Sequence, residues 1–411
     1  MKMRERQTIS VLFALLIFLA PTLFSCSTKP DVTDEYYVAA YIWPSCHDEA
    51  MSRDVFWSKG EGEWEIIKQG TSRFDDHYQP KVPLWGYQSD SDPKAVEKKI
   101  DAAVDHGVNV FIYDWYWFDG KPYLEDAINK GFLGAANNNK MQFYLMWANH
   151  DVYSNFWNPH RYKTDSLVWT GVVDQHNYEV IVHRVIEQYF KKPNYFKIDG
   201  KPVFSIFEFV NLIKSFHDLD GVKNALDYFR REAMNAGFPG VHFQLVGWGE
   251  WQDLSPRLCD ARYMEGLTIN EVVDKLGINS VTAYNWGGAK PQEDYIKWGE
   301  QAMTVQNNWD KMLDIPYFPT VSIGWDDTPR KLHLGKEDVV HLNATPQSFG
   351  AYLQRAREYV RKHPEQPKLI IINAWNEWVE GSYLEPDMRC GYGYLESVKN
   401  VMSGKYDKYT Y

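Results

Sequence analysis

The chain has 411 residues and carries 44 Lys+Arg against 55 Asp+Glu, a formal charge of −11. That acidity, with no basic run, excludes a nucleic-acid partner, which needs clustered Lys and Arg to release counterions from phosphates. With 44% hydrophobic residues and 16% aromatics, among them 17 Trp, the chain can bury enough apolar surface to offset its conformational entropy, which excludes disorder.

At the N-terminus, Lys2, Arg4 and Arg6 precede an apolar run over residues 11–20 that is too short to span a bilayer. Leu23-Phe24-Ser25-Cys26 follows Pro21 and has the form of a bacterial lipobox. Residues 1–25 therefore read as a lipoprotein signal peptide, with Cys26 diacylated after cleavage, residues 26–35 as a lipidated tether, and 36–411 as the folded catalytic part. The expected location is the bacterial cell envelope, on the outer membrane, with membrane contact through this lipid anchor. Cys46, Cys259 and Cys390 are an odd count without Cys-x-x-Cys spacing, so no disulfide framework is expected.

Apolar runs of strand length occur at 36–43, 108–115, 142–147, 203–207, 242–246, 280–285, 317–323 and 369–375. Helical periodicity fills 93–106, 123–136, 178–190, 222–236, 269–276, 291–312 and 345–362, and Pro93 after Ser91-Asp92 and Pro346 after Thr345 fit helix starts. Strand–helix alternation repeated eight times predicts an α/β fold, a single (β/α)8 barrel, with a doubly wound open sheet as the alternative.

A barrel places its chemistry where strands end and βα loops begin. The strand ends carry Trp43; Tyr113-Asp114-Trp115-Tyr116-Trp117; Trp147-Ala148-Asn149-His150; Glu208; Trp248 and Glu250; Asn285-Trp286; Trp325-Asp326-Asp327; and the run from Asn373 to Gly381. One Trp is more often core than site, but their gathering at one end predicts a rim of indoles around acids, as a glycan cleft requires.

Glycosidic cleavage needs one carboxylic acid for the leaving oxygen and a second carboxylate near the sugar. Glu377 and Glu380 supply such a pair beside Trp375 and Trp378, directly after the apolar Leu369-Ile370-Ile371-Ile372. Asp114, Glu208, Glu250, Asp326 and Glu385 compete for these roles. His47, His77 and His150 have no metal-ligand spacing, so no metal is expected. Neither a phosphate-cradling Gly loop nor a Gly-x-Ser-x-Gly elbow occurs, and no cofactor is expected.

The run Asn373-Ala374-Trp375-Asn376-Glu377-Trp378-Val379-Glu380-Gly381-Ser382-Tyr383-Leu384-Glu385-Pro386-Asp387, followed by Gly391-Tyr392-Gly393-Tyr394, closely resembles the C-terminal signature of WbsX-type proteins, relatives of glycoside hydrolase family 99. His77-Tyr78-Gln79-Pro80, Phe56-Trp57-x-Lys59-Gly60-x-x-Glu63-Trp64, Asp199-Gly200-Lys201-Pro202 and Gly324-Trp325-Asp326-Asp327-Thr328-Pro329-Arg330 extend the match along the chain. The resemblance implies a (β/α)8 glycoside hydrolase that cleaves α-linked, mannoside-like glycans, endo-acting and with retention. It assigns Glu377 to the base that engages the sugar 2-hydroxyl and Glu380 to the general acid. After strand three many relatives read Trp-Ala-Asn-Glu, where this chain has His150.

Together the strand ends and the matched segments nominate as substrate-binding residues Trp43, Glu63, Trp64, Asp114, Trp115, Tyr116, Trp147, Asn149, Asn285, Trp325, Asp326, Asn376, Trp378, Tyr383 and Glu385. The expected partner is an oligo- or polysaccharide. Two other readings stand beside the hydrolase: a non-catalytic glycan-binding surface lipoprotein, and a glycosyltransferase of envelope polysaccharide, the label some relatives carry.

Overall fold

The computed structural model of the chain describes residues 36–406; the expected signal peptide and tether, with Cys26, lie outside them. The described residues form a barrel of parallel strands: β1 (Tyr37–Ile42), β2 (Val110–Phe118), β3 (Gln142–Trp147), β4 (Lys201–Ile206), β5 (His242–Val246), β6 (Ser280–Thr282), β7 (Tyr317–Phe318 and Thr320–Ser322) and β8 (Leu369–Asn373). Each strand pairs in parallel with the next, and β8 returns to β1 through Tyr37↔Leu369 to Ala40↔Ile372. Strand β7 closes the ring. Its first half pairs with β6 and its second with β8. Between the halves Pro319 has no N–H to give to a ladder, while its carbonyl accepts from the Ile371 N–H at 2.9 Å.

The strands are buried on both faces, which is why they read as unbroken apolar runs and not as alternating ones. In β8, Ile370, Ile371 and Ile372 are fully buried. Around them lie α1 (Pro93–Asp105), α2 (Gln175–Val185), α3 (Phe209–Phe216), α4 (Leu219–Asn235), α5 (Ile269–Leu276), α6 (Tyr295–Met312), α7 (Pro346–Lys362) and α8 (Gly393–Met402). Their ends follow local chemistry. The Asp92 side chain caps α1, with Pro93 in its first turn. Thr268 and Glu271 form a capping box on α5, which Gly277 ends in a left-handed conformation.

Three segments differ from the sequence expectation. Strand β2 runs on to Phe118 and folds back through Asp119-Gly120, both at positive φ, to pair with Lys121–Tyr123; this is an Asp-Gly hairpin turn. The helix expected over 123–136 is instead one wide turn, Ala127–Phe132, followed by a tight turn at Asn138–Lys140. Here a Cβ on Gly131 would fall 2.0 Å from the Asp90 carbonyl oxygen, so close backbone docking takes the place of helix regularity. Helix α3 begins where the Glu208 carboxylate accepts from the Val210 N–H, which assigns that acid to capping. Cys46, Cys259 and Cys390 are unpaired.

Candidate active site

The C-terminal ends of the strands line an open cavity whose polar wall is Asp114, His150, Tyr284, Arg330, Glu377 and Glu380, with Trp43, Tyr116, Phe156, Trp157 and Phe207 among its aromatics. After β8, Asn376-Glu377 pairs back onto Ser382-Tyr383, and a single turn, Trp378–Glu380, lies between them. Gly381 ends that turn at φ 67°, where a Cβ would lie 3.0 Å from Asp326 Cβ and Lys81 Cε. Both the backbone sign and the space demand glycine there. The turn is pinned by the Asp326 N–H, which donates to the Glu380 carbonyl at 2.6 Å.

Arg330 reaches the cavity from the loop after β7. Its guanidinium donates to Glu380 at 3.2 Å and pairs with Glu63 at 2.7 Å, and it lies 5.4 Å from the centre of the Trp43 ring. Glu63 is fully buried beneath it and also accepts from Trp43 Nε1 and, at 2.9 Å, from Ser45 Oγ. On the opposite side the Tyr284 hydroxyl lies 3.0 Å from Asp114 Oδ2 and in hydrogen-bond contact with Glu377.

That hydroxyl has one proton for two carboxyls, so both contacts are hydrogen bonds only when one of the acids is itself protonated. The electrostatics agree. Burial, with Asp114 beside it, pushes Glu377 up to about 8, against Arg330 and the Tyr284 hydrogen bond. Burial also raises Asp114 well above the usual carboxylate range. Glu380 is raised by burial and then by Glu377, with Arg330 opposing. Burial lowers His150, which keeps a second cation out of the site at neutral pH. A buried site with several acids and one arginine can thus hold a carboxylic acid and a carboxylate side by side, as acid–base catalysis requires.

Among the residues nominated from sequence, the structure brings Trp43, Asp114, Tyr116, Glu377 and Glu380 to this cavity. Asn285 and Trp325 line a neighbouring cavity that Glu380 also borders. The structure brings none of the others to either of these two cavities. Trp115 donates to Glu125 at 2.9 Å, and Trp147 packs on Tyr178. The Asn149 side chain exchanges two hydrogen bonds with the Glu208 backbone, each of 2.8 Å. Trp64 packs on Trp378, which stacks on Tyr383 at 3.7 Å. Tyr383 donates to Asp387. Glu385 accepts from the Trp375 and Trp378 indoles and pairs with Lys99. The Asn376 side chain bonds both the N–H and the carbonyl of Trp43, tying β8 to β1. Glu63 sits behind Arg330. Although burial alone would raise Asp326, Lys81 and then His77 hold its carboxyl far below the usual range, and it braces the turn that carries Glu380.

The reason is the period of two along a strand. Asp114 and Tyr116 face the cavity, as do Met146, Ala148 and His150. Trp115, Trp147 and Asn149 have the opposite parity and face the surrounding layer. Sequence reading missed Tyr284, Arg330 and His150. Parity with Thr282 was available for Tyr284, and a lone Arg at the end of the Gly324–Arg330 segment was available for Arg330.

Comparison with known proteins gives three findings. The family model described as "Glycosyltransferase WbsX" matches residues 38–398. An uncharacterized protein WxcX of Xanthomonas campestris pv. campestris strain B100 is 24% identical over 382 residues, which are 92% of this chain and 51% of that one; a second strain's WxcX is 24% identical over 376 residues. The chain thus spans about half the length of the curated relatives it matches. Among solved structures, a GH99 endo-alpha-mannosidase from Bacteroides thetaiotaomicron aligns with a TM-score of 0.52 at 12% identity, covering 90% of this chain and 97% of that one. A protein described as glycoside hydrolase-like aligns at 0.54 with 14% identity, covering 92% and 97%. At such identities these likenesses establish the barrel fold.

Proposed function

The chain belongs to the WbsX family, and from that premise we propose that it is a glycoside hydrolase of α-linked, mannoside-like glycans, acting within the glycan chain and with retention. The observation that carries this is the buried pair Glu377 and Glu380, set after β8 in an aromatic cavity with Tyr284 on one acid and Arg330 on the other. The sugar bound there lies against Trp43 and Tyr116. Asp114, protonated, donates to Tyr284, and Tyr284 donates to Glu377, which leaves Glu377 as the carboxylate. Glu377 takes the proton of the sugar 2-hydroxyl as that oxygen attacks the anomeric carbon, while Glu380 protonates the departing oxygen. In the second half Glu380 removes a proton from water as the water opens the three-membered ring at the anomeric carbon, and Glu377 returns its proton to O2. Two inversions give retention, and the raised position of Glu380, set by burial and then by Glu377, supports its proton-carrying role at neutral pH.

The test is incubation of the purified full-length protein with a panel of α-linked oligosaccharides, reading masses and new reducing ends. Glu377→Gln and Glu380→Gln should each lower turnover about 10²–10⁴-fold. Near-native activity in either variant removes that residue from the mechanism. The family's description favours a second reading, glycosyl transfer. Against it, the one arginine of the cavity wall is already paired with Glu63 and Glu380, where a donor diphosphate needs free cations. Release of nucleotide from a nucleotide sugar, with no hydrolysis of any glycan, would establish transfer; glycan binding without turnover would establish the non-catalytic alternative. We place the protein on the outer membrane through lipidated Cys26, a proposal that rests on the sequence of residues 1–26.

A further inference from the structure

The cavity that holds Glu377 does not stand alone. A second, open one adjoins it and shares Phe207, Tyr284 and Glu380 with it, whereas Glu377 faces the first only. This arrangement has a direction. An acid that protonates a leaving oxygen must stand at the plane of the bond being broken, with the cleaved sugar on one side and the leaving group on the other. A base that engages the 2-hydroxyl belongs wholly to the side of the cleaved sugar. On the proposed roles of the two glutamates, the first cavity is the glycon side, and the second begins where the leaving group begins.

The second cavity has the chemistry of a sugar platform. It is built on the hairpin after β5, in which Trp248-Gly249 pairs with Pro256-Arg257. Trp251, at the tip of this hairpin, is 54% exposed, an unusual position for the largest apolar side chain. It is also tethered, its Nε1 donating to the Gly287 carbonyl at 2.7 Å. Trp248 packs edge-on against Phe207 at 5.4 Å, and Trp325 lines the same space from the loop after β7. Polar reach comes from Asn285 and from Glu250 and Arg257, which pair at 2.6 Å at the rim. Gly287 keeps the floor low, since a Cβ there would fall 3.2 Å from Trp248 Cζ3. A tethered, exposed indole and two partly buried ones beside paired charges offer an apolar face to pyranose C–H groups and bidentate partners to their hydroxyls.

We infer that the Trp248–Arg257 hairpin and Trp325 form the leaving-group subsite, which takes a pyranose of the departing glycan chain on the Trp251 indole. The inference rests on the hydrolase reading for its direction, but sugar binding at this place can be measured without turnover. Calorimetry on the full-length protein compares methyl α-mannoside with α-linked mannobiose and mannotriose, using Glu380→Gln so that nothing is cleaved. Trp251→Ala, added to that variant, should weaken the di- and trisaccharides about tenfold while the methyl glycoside binds as before. Trp251→Phe should hold the loss to about threefold. Because Trp251 is exposed, its replacement should leave the unfolding midpoint in place.

Equal affinity of the oligosaccharides with and without the indole overturns the inference, as does equal weakening of the methyl glycoside. Absence of binding of any of the three sugars to the protein overturns it together with the reading on which it rests. Weakened oligosaccharide binding in a protein whose unmutated form cleaves nothing upholds sugar binding on the Trp251 hairpin and defeats the hydrolase reading, and with it the leaving-group direction.

Discussion

Replacing Tyr284 with Phe removes one oxygen from the centre of the acid cluster and leaves the ring, so packing against Tyr41 at 4.6 Å and Phe207 at 5.4 Å is retained. What is lost is the Tyr284 donor to Glu377, whose residue is 3% exposed, so that water does not readily replace it. A hydrogen bond to an ionised group contributes about 1.5–3 kcal/mol, and a shift of one unit corresponds to about 1.4 kcal/mol. The Tyr284 bond lowers Glu377, which nonetheless stands at about 8. Its removal therefore raises that acid by about one to two units further. Glu377 acts as the ionised base, so the active fraction falls at any pH below its titration. Profiles of kcat/KM against pH, on the best substrate of the α-glycan panel, should show the acid limb moved up by about one to two units and the rate at pH 7 lowered about ten- to hundredfold. An acid limb that stays in place, with kcat/KM at pH 7 within about twofold of the unmutated protein, would refute the hydrogen-bonded path from Asp114 to Glu377.

The same acid ties stability to pH. A carboxyl whose pKa is raised from 4.5 to about 8 by folding favours the folded state in its protonated form, so its contribution is complete below about 4.5 and is lost as pH rises through about 8, at up to about 1.4 kcal/mol per pH unit. Urea unfolding between pH 5 and 8 should show this decline in the unmutated protein and a flatter one in Glu377→Gln; equal slopes would contradict the assignment. Trp147→Ala and Trp378→Ala should each cost about 3–5 kcal/mol, because both indoles are buried in packing, whereas Trp325→Ala should cost less stability and weaken glycan binding, as calorimetry would separate. Cys26→Ala should release the protein from membranes or leave an uncleaved precursor, and unchanged membrane association of a correctly trimmed variant would remove the lipid anchor.

Much of the framework was legible in the residues themselves. Uninterrupted apolar strands such as Leu369-Ile370-Ile371-Ile372, caps such as Asp92-Pro93 and the order of alternation determine a parallel sheet covered by helices, because strands buried on both faces need a layer on each side; its closure into a barrel is decided by the pairing of β8 back onto β1. The position of Glu377 and Glu380 at the end of β8 follows from the same logic. The chain did not reveal by adjacency which side chains around them face the cavity. Trp115 sits between Asp114 and Tyr116 and turns to the opposite face, and Asn376, next to Glu377, is spent on the backbone of Trp43. Arg330 and Tyr284, distant from both acids in sequence, meet them only when β6 and the loop after β7 close the ring. Local pattern determines which segments pack, since periodicity is a property of neighbours along the chain. Which acid keeps its proton is decided by burial and by charges brought together across the barrel, and those are properties of the closed fold alone.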